Sequence, residues 1–454
     1  MKITSEILRQ ALGLNDIFDF EALHVSIDSR NIQPGDLFFA IRRGNQFASK
    51  AIENGAVASI IDNKAFQGNK TILVKDSLES LKKLGSYIKH MTNPKTVLGI
   101  TGSVGKTTTK SWLNKILNHS YKSFASLKNY NTIYGIPISL TELEPNTDFC
   151  IMEIGSNNPG EISELSKYLT PDIGIITNIY ESHIGKFKNR AELADEKISI
   201  IDGIKSDRIL IYDGDSDFKQ QIKNSIKNTI SVGFNNDCDI AILEINACFV
   251  KIKTPAGKLE YEIGEYGKHF VYISACVIAA LFALNLDVKN FLPLIRDLKP
   301  EKGRGEIINC RSLSGRNLKL IDDSYNASPS SMFAAIDAFI ANKYTGHKTA
   351  ILGQMMELNK YEEYYHKLLA DKLMYSSIEL IFFIGNKNLK KCFSKITNIE
   401  LFEEMTDSVI KIILSKIDLE GIVLVKGSRS VGLDKFVQTA RSIISLIILI
   451  ICRL

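Results

Sequence analysis

The stretch Gly99-Ile-Thr-Gly-Ser-Val-Gly-Lys-Thr-Thr-Thr109 decides the fold of the middle of this chain. An apolar, β-branched lead-in over residues 96–100 predicts a strand, and the residues after the glycines predict a helix to about residue 118. A glycine-rich turn between a strand and a helix holds phosphates with backbone N–H groups and the helix N-terminus. We therefore expect Lys106 to contact terminal phosphates and the Thr107 hydroxyl to coordinate Mg²⁺.

The spacing of the glycines in this stretch is unusual. The nearest glycine before Gly105 is Gly102, so the loop has the pattern G-x-x-G-K-T. In the ordinary G-x-x-x-x-G-K-[ST] loop the first glycine would stand at Ile100. The pattern predicts a compact variant of the phosphate loop, and the alternative is a solvated glycine turn before a surface helix.

Length and composition bound the class of protein. A chain of 454 residues is too long for one hydrophobic core and predicts about three domains. Hydrophobic residues make up 45% and charged residues 24%, which is ordinary for a globular protein. The net charge of +5 is small and basic residues are interleaved with acidic ones, so we expect no nucleic-acid partner.

The cysteines and the two ends of the chain indicate the compartment. The seven cysteines are scattered without a C-x-x-C pair, which argues against disulfides and structural zinc and for a reduced, cytoplasmic location. The first residues are polar, so no signal peptide is expected. Ile443–Cys452 is a mostly apolar run, shorter than the roughly 20 residues that span a bilayer. It predicts a buried last strand or helix, with weak membrane association as the alternative and no stable membrane insertion.

Strand-like and helix-like runs alternate along most of the chain and predict an α/β fold. We expect a small α/β domain over residues 1–92, a central parallel-sheet domain with an ATPase-like phosphate loop over 93–308, and a Rossmann-like domain over 309–454. Asn93-Pro94 marks the first linker, and the charged, turn-rich segment Lys299–Gly305 marks the second junction.

Three residues of the central part are candidate ligands. Glu153 ends the strand-like run Cys150–Ile154, where a carboxylate could reach Mg²⁺; the alternative is a capping or surface carboxylate. His183 follows the next strand, and from the residues alone it is equally a metal ligand or a structural histidine. Lys197 lies in a helix-like run and on its own would be a solvated helix lysine.

Two polar segments follow strands in the last third of the chain. Asp322–Pro329 holds two carboxylates, a tyrosine and an asparagine that could bind polar ligand edges; the alternative is a turn and helix cap with Pro329 at the first helical position. Lys426-Gly-Ser-Arg429 is a basic turn suited to an anionic group, with generic surface charge as the alternative.

Together these segments resemble the Mur ligases, the ATP-dependent amide-forming enzymes of bacterial peptidoglycan synthesis. The loop Thr101–Thr108 is similar to the family signature T-G-[STN]-x-G-K-[TS]-[TS]. Asp322–Met332 is similar to the D-D-x-Y-N-A-N-P-x-S-M segment of the family member that adds a D-Ala-D-Ala dipeptide. Further matches occur in order along nearly the whole chain: Asp28-Ser-Arg30, Pro34-Gly-Asp36, Asn129-Tyr-Asn131, Gly135-Ile-Pro137, Gly160-Glu-Ile162, Leu352-Gly353, Met355, Glu357-Leu358 and Lys426-Gly-Ser-Arg429.

The resemblance implies roles for individual residues. The implied nucleotide contacts are Gly102, Ser103, Val104, Gly105, Lys106, Thr107, Thr108, Arg304, Tyr325 and Asn326. The implied Mg²⁺ ligands are Thr107, Glu153, His183 and Lys197, and the implied catalytic residues are Lys106, His183 and Lys197. Lys197 matches a lysine that CO₂ carbamylates, which turns a cation into an anion that helps to hold Mg²⁺. The implied substrate contacts are Asp28, Ser29 and Arg30 toward the UDP-muramoyl group, together with Lys426, Ser428 and Arg429.

The resemblance also implies a reaction. The expected substrates are ATP, UDP-N-acetylmuramoyl-tripeptide and D-Ala-D-Ala, with Mg²⁺ as cofactor and a monomeric enzyme. Residues 1–92 would hold the UDP-sugar. The tripeptide carboxylate would accept the γ-phosphoryl group of ATP as an acyl phosphate, and the dipeptide amine would displace phosphate from it.

Several positions depart from the family pattern and leave two alternatives. Ile41–Ser49 lacks the longer glycine-containing loop expected near the UDP-sugar, asparagines are replaced by Phe270, Ile273 and Ser328, and an aspartate by Gln354. A sister ligase would add a diamino acid to UDP-muramoyl-dipeptide, but its D-N-P-R motif is missing from the sequence. The other alternative is a nucleotide-binding homologue that has lost ligation, against which the set of candidate metal ligands argues.

Overall fold

The computed structural model describes residues 1–451 except 128, 206, 247, 266 and 345, and for residues 443–451 it describes the backbone alone. Within these residues the strands form four sheets, and helices cover the mostly parallel ones. This architecture confirms the predicted α/β class. The domain boundaries at residues 92 and 308 stay a prediction.

The N-terminal part contains a two-stranded and a four-stranded sheet. Its elements are β1 (Ile3–Thr4), α1 (Ser5–Leu12), β2 (Glu21–Ala22), β3 (His24–Ser26), β4 (Asp36–Phe39), α2 (Ala48–Glu53), β5 (Ala58–Ile61), β6 (Thr71–Leu73) and α3 (Ser77–Thr92). Strands β3, β4, β5 and β6 pair in sequential order and in parallel, whereas β1 and β2 are antiparallel. The Asp76 side chain caps the start of α3, and Asn93, in the left-handed region, ends it.

The middle of the chain forms a nine-stranded sheet. Its elements are β7 (Thr96–Thr101), α4 (Lys106–Leu117), β8 (Ser123–Ala125), α5 (Gly135–Thr141), β9 (Phe149–Glu153), α6 (Glu161–Leu169), β10 (Ile173–Ile176), α7 (Arg190–Ile198), β11 (Ile209–Asp213), α8 (Lys219–Ser225), β12 (Asn228–Gly233), β13 (Ile240–Asn246), β14 (Phe249–Thr254), β15 (Gly257–Glu262), α9 (Lys268–Ala283) and α10 (Leu292–Ile295). The strand order is β15-β14-β13-β12-β11-β10-β7-β9-β8. Strands β7 to β13 run parallel, and the hairpins β13–β14–β15 are antiparallel.

Successive strand residues point to opposite faces of this sheet, and both faces are buried. In β7, Leu98 and Ile100 join the core on one face, while Val97 joins the core on the other. The first core includes α4 and α9, so the helix after the phosphate loop is anchored by its apolar side. The carboxyl ends of β7, β9, β10 and β11 consequently meet at one edge of the sheet, where ligands bind in parallel α/β folds.

The last part of the chain forms a six-stranded sheet. Its elements are β16 (Glu306–Arg311), β17 (Asn317–Asp323), α11 (Pro329–Ala341), β18 (His347–Gly353), α12 (Glu362–Met374), β19 (Leu380–Ile384), β20 (Ile399–Phe402), α13 (Asp407–Lys416), β21 (Gly421–Lys426) and α14 (Asp434–Ile451). The order is β16-β17-β21-β18-β19-β20, with β16 antiparallel and the other strands parallel. Strands and helices alternate along this part of the chain, as the sequence pattern predicts.

The apolar C-terminal run continues a helix. The backbone of residues 443–451 belongs to α14, while Cys452, the last residue of that apolar run, lies outside the described residues. Among the helices that the structure describes, none combines the length and apolarity needed to cross a bilayer.

Candidate active site

A cavity of about 730 Å³ lies where the carboxyl-terminal ends of strands from the nine-stranded and six-stranded sheets meet. Its wall includes the phosphate loop, the loops after β9, β10 and β11, and the loops after β17, β18 and β21. It holds most of the residues that the sequence predicts for the site. These are Ser103, Val104, Gly105, Lys106, Thr107, Thr108, Glu153, His183, Lys197, Arg304, Tyr325, Asn326, Lys426, Ser428 and Arg429.

The phosphate loop folds tightly over the end of β10. Gly102 has a φ of 136°, and a Cβ atom there would lie 2.1 Å from the Thr177 hydroxyl, so only glycine fits. The Lys106 Nζ atom curls back to donate to the Gly102 carbonyl at 2.6 Å, and the Ser103 hydroxyl donates to the Tyr180 carbonyl at 2.6 Å. Ser103 is buried, so the alternative of a solvated turn is wrong.

Glu153 and Thr107 meet at this loop. The Thr107 hydroxyl donates to Glu153 Oε2 at 2.8 Å, and the Asn131 amide donates to Oε1 at 2.9 Å. Glu153 is only 2% exposed, which excludes the surface-carboxylate alternative. Burial opposes ionisation of Glu153, but the nearby cations of Lys106 and Lys110 lower its pKa.

Lys197 lies on α7 with 2% of its surface exposed. Its Nζ atom donates to the Ser156 hydroxyl at 3.0 Å. Burial lowers the pKa of Lys197 to about 7, and the positive charge of Lys106 contributes to this shift. The interpretation as a solvated helix lysine is therefore wrong, since this amine faces the cavity and a large fraction of it is neutral at neutral pH.

His183 joins the two large sheets. Its backbone is in the left-handed region, with a φ of 60°, and its Nδ1 atom pairs with the carboxylate of Glu357 in the loop after β18. The adjacent His183 side chain lowers the pKa of Glu357. The Gly185 N–H donates to the Glu357 carbonyl at 3.0 Å, so backbone as well as side chain connects the two loops.

Side chains from the loops after β17 and β21 form the wall of the cavity opposite the phosphate loop. The Lys426 Nζ atom, on a residue 2% exposed, donates to Asp323 Oδ2 at 2.7 Å and to the Asn326 carbonyl at 3.1 Å. The Arg304 guanidinium lies 4.2 Å from the centroid of the Tyr325 ring. These contacts gather the predicted residues of the junction and the six-stranded sheet on one side of the cavity, so the surface-charge alternative for Lys426 is wrong.

Asp28, Ser29 and Arg30 are not brought into this cavity. They follow β3, and among the described residues none of the three lines the cavity wall. Asp28 accepts two hydrogen bonds from the Arg30 side chain, each 2.8 Å long, which lower the pKa of Asp28 to about 2. The Asn54 amide donates to the Ser29 carbonyl at 3.3 Å.

The structure adds residues to which sequence reasoning gave no role. Asn131 and Glu357 lie within motifs that match the family pattern. The sequence did not indicate which side chains they contact. Ser156, Lys110 and Asp213 carried no signal beyond lying near a strand or inside a helix. Their roles depend on contacts between loops that are distant in the sequence.

The arrangement fits a nucleotide with Mg²⁺. Among the residues that the structure describes, no group of three or more His, Cys, Asp and Glu side chains is placed to enclose a metal ion. The Thr107 hydroxyl and the Glu153 carboxylate are hard oxygen donors, and Mg²⁺ takes few such protein ligands and completes its shell with phosphates and water. A Cβ atom at Gly102 would overlap the Thr177 hydroxyl, so this position of the phosphate loop has no space for a side chain.

Comparisons with known proteins show the family of this chain. The family described as Mur ligase middle domain matches residues 100–281, and the Mur ligase glutamate ligase domain matches residues 303–429. A UDP-N-acetylmuramoyl-tripeptide–D-alanyl-D-alanine ligase of Rickettsia prowazekii (strain Madrid E) is 31% identical, over 96% of this chain and 98% of the relative. The chain belongs to the Mur ligase family. A relative of the same name from Bacillus subtilis (strain 168) is 30% identical, over 96% of this Mur ligase and 97% of the relative.

Solved structures agree on the fold of this Mur ligase. MurF from Acinetobacter baumannii superposes with a TM-score of 0.85 at 25% identity, covering 97% of this chain and 99% of that one. MurF ligase from Thermotoga maritima in complex with ADP superposes with a TM-score of 0.78 at 24% identity, covering 91% and 96%.

Proposed function

We propose that this Mur ligase joins D-alanyl-D-alanine to UDP-N-acetylmuramoyl-tripeptide with hydrolysis of ATP to ADP and phosphate. The names of its full-length relatives support this substrate pair over the diamino-acid alternative. The observation that carries the proposal is one cavity that joins the phosphate loop, Glu153 and Lys197 on one side to Lys426 and Arg429 on the other.

The nucleotide would lie on the phosphate loop, with its base toward Arg304, Tyr325 and Asn326. Lys106 would contact the terminal phosphates. Its Nζ atom would then donate to phosphate oxygens in place of the two loop carbonyls that it contacts in this structure. Thr107 and Glu153 would hold Mg²⁺, which supplies charge neutralisation on the phosphates when bound. His183 would be a further Mg²⁺ ligand, since its imidazole lies at the same cavity.

The mechanism is mainly one of positioning and charge stabilisation. A carboxylate is a poor electrophile, and transfer of the γ-phosphoryl group to the tripeptide carboxylate gives an acyl phosphate with a good leaving group. The neutral dipeptide amine attacks the acyl carbon, an N–C bond forms, the C–O bond to phosphate breaks, and the nitrogen passes one proton to the departing phosphate. Lys106 would stabilise the transferred phosphoryl group.

Lys197 is proposed to act as a carbamate. A neutral amine attacks CO₂, a bond forms between Nζ and carbon, and one proton is released. The pKa of about 7 leaves a large fraction of the Lys197 amine neutral at neutral pH, which this reaction requires. The product is an anion at the cavity wall beside Ser156, where it could help to hold Mg²⁺.

The remaining assignments follow from the family. We propose three domains over residues 1–92, 93–308 and 309–454, with the UDP-muramoyl group held near Asp28, Ser29 and Arg30 in the first. Lys426, Ser428 and Arg429 would contact substrate in the cavity. A cytoplasmic location and a monomeric state stay predictions.

The test is phosphate release by the purified full chain with ATP, Mg²⁺ and UDP-muramoyl-tripeptide, with and without D-Ala-D-Ala. Release that depends on the dipeptide, with formation of UDP-muramoyl-pentapeptide, is expected. Release that depends on a diamino acid and UDP-muramoyl-dipeptide would favour the sister ligase. Tight ADP binding without any substrate-dependent release would indicate a homologue that has lost ligation.

A further inference from the structure

Glu357 is a carboxylate of the cavity wall to which the phosphate chemistry gives no role. Among the described residues, five acidic side chains line the wall. Four of them accept hydrogen bonds from loop backbone or from hydroxyl, amide or lysine side chains: Glu153, Asp213, Asp215 and Asp323. The fifth, Glu357, pairs with the His183 imidazole, and 46% of its side chain is exposed. Glu357 therefore keeps much of its carboxylate open to a ligand.

The loop that carries Glu357 is held at both preceding residues. The Met355 N–H donates to His366 Nε2 at 3.1 Å, and the Met356 N–H donates to the Ser428 hydroxyl at 2.9 Å. Glu357 itself has a φ of 64°, a conformation that costs a non-glycine residue of order 1–3 kcal/mol and persists where surrounding contacts enforce it. These contacts hold the backbone at Glu357 in a strained conformation.

A second set of contacts ties the same loop to the nine-stranded sheet. The Gly185 N–H donates to the Glu357 carbonyl at 3.0 Å, and the Asn359 amide donates to the Gly185 carbonyl at 2.7 Å. A Cβ atom at Gly185 would lie 2.5 Å from the Glu357 carbonyl oxygen, so the approach requires glycine. Glu357 consequently stands at the point where the nucleotide side of the cavity meets the six-stranded sheet.

We infer that Glu357 binds the ammonium group of the dipeptide acceptor. This inference rests on the proposed function. A free dipeptide is a zwitterion, and this wall offers both charges: the Glu357 carboxylate, and the Arg429 guanidinium, which lies 3.1 Å from Asp434 Oδ2 and whose side chain is 61% exposed. A carboxylate in the same cavity as the phosphate loop would place the nitrogen near the acyl carbon, which it attacks once it has lost a proton to solvent, and a guanidinium suits the distal carboxylate of the dipeptide.

The test compares Glu357→Gln with wild-type enzyme and with Glu363→Gln. The glutamine keeps the shape and removes the charge. Glu363 is a matched control, because its side chain is also 46% exposed and paired with cations, Lys367 and Lys391, but it lies on α12 outside the cavity lining. We expect Glu357→Gln to raise KM for D-Ala-D-Ala about 10- to 100-fold, while KM for ATP and for UDP-muramoyl-tripeptide changes less than about twofold. Glu363→Gln should behave as wild type.

A binding measurement tests the ammonium directly. In wild-type enzyme, N-acetyl-D-Ala-D-Ala, which lacks the positive charge, should compete with D-Ala-D-Ala for the acceptor site much more weakly than a dipeptide with a free amine. This preference for a free amine should disappear in Glu357→Gln. An unchanged KM for D-Ala-D-Ala would overturn the inference. So would a rise confined to KM for ATP or to the Mg²⁺ requirement, which would show that Glu357 only positions His183. Wild-type enzyme without dipeptide-dependent phosphate release would overturn the proposed function, which is a separate outcome.

Discussion

Lys110 lies behind the carboxylate of Glu153, with 3.7 Å between its Nζ atom and Glu153 Oε2. The two side chains are 5% and 3% exposed. Lys110 also donates to the Ser126 carbonyl at 2.7 Å, and the Ser126 hydroxyl accepts the backbone N–H of Glu153 at 3.2 Å. Since Lys110 is not among the described residues of the cavity wall, it orients Glu153 from the protein side and leaves the cavity side to a ligand.

Lys110→Met is expected to weaken Mg²⁺-dependent binding of ADP by about 10- to 100-fold, because groups that orient a metal ligand contribute on this scale. Binding of ADP in EDTA should change little, since the phosphate loop keeps its own contacts. Titration calorimetry with and without Mg²⁺ separates the two effects. Lys110→Arg keeps the charge and should recover part of the Mg²⁺ dependence.

Lys115→Met is the matched control for this prediction, since Lys115 is an exposed lysine on the same helix. It should bind ADP as wild type in both conditions. Equal losses of ADP affinity with and without Mg²⁺ in Lys110→Met would show that the lysine supports the loop as a whole, contrary to the expected role.

Lys197→Ala is expected to lose at least about 100-fold in kcat, because the anion beside Ser156 would be missing. Acetate or formate should partly restore activity by occupying the space of the carbamate, and sodium chloride at the same ionic strength should not. Initial rates of phosphate release measure both effects. Activity near wild type without added carboxylate would contradict the carbamate assignment.

Part of the site could be predicted from the sequence because of one rule of sheet topology. Residues that follow parallel strands share an edge of the sheet, so the order of strands and loops along the chain is enough to place Lys106, Thr107 and Glu153 together. The compact loop spacing was also sufficient to predict a tight turn. The physical reason for that turn is that Thr177 leaves no space for a side chain at Gly102.

Other features depend on contacts that local patterns do not contain. A lysine in a helix is ordinarily solvated, so the burial of Lys197 was indicated only by family resemblance and not by its neighbours in the chain. The pairing of Glu357 with His183 joins loops from two sheets, and the position of Asp28 outside the cavity depends on how the N-terminal part is placed. Such relationships arise from tertiary packing, which residue spacing does not encode.

Gly185→Ala should disrupt the contact between the two sheets. The added methyl group would overlap the Glu357 carbonyl oxygen at 2.5 Å, and overpacking of this kind costs about 1–3 kcal/mol. We expect kcat to fall about 10-fold or more while ADP affinity stays within about threefold, because the phosphate loop is not displaced. Gly68→Ala is the control, since a Cβ atom there meets nothing within 4 Å. Equal effects of the two substitutions on kcat would contradict the prediction.

Asp213→Asn should stabilise the protein in a pH-dependent manner. Asp213 is 4% exposed, and burial raises its pKa to about 6 from an ordinary value of 3.8. Between these values the folded state binds more protons than the unfolded state, so stability falls as the pH rises through this window and the cost persists above it. Asparagine keeps the acceptor for the Asp215 N–H and removes the charge. Urea unfolding should therefore give a stability gain that grows between about pH 4 and pH 6 to at most about 3 kcal/mol and then levels off. The exposed Asp297→Asn should show no such trend, and a gain independent of pH in Asp213→Asn would contradict the assignment.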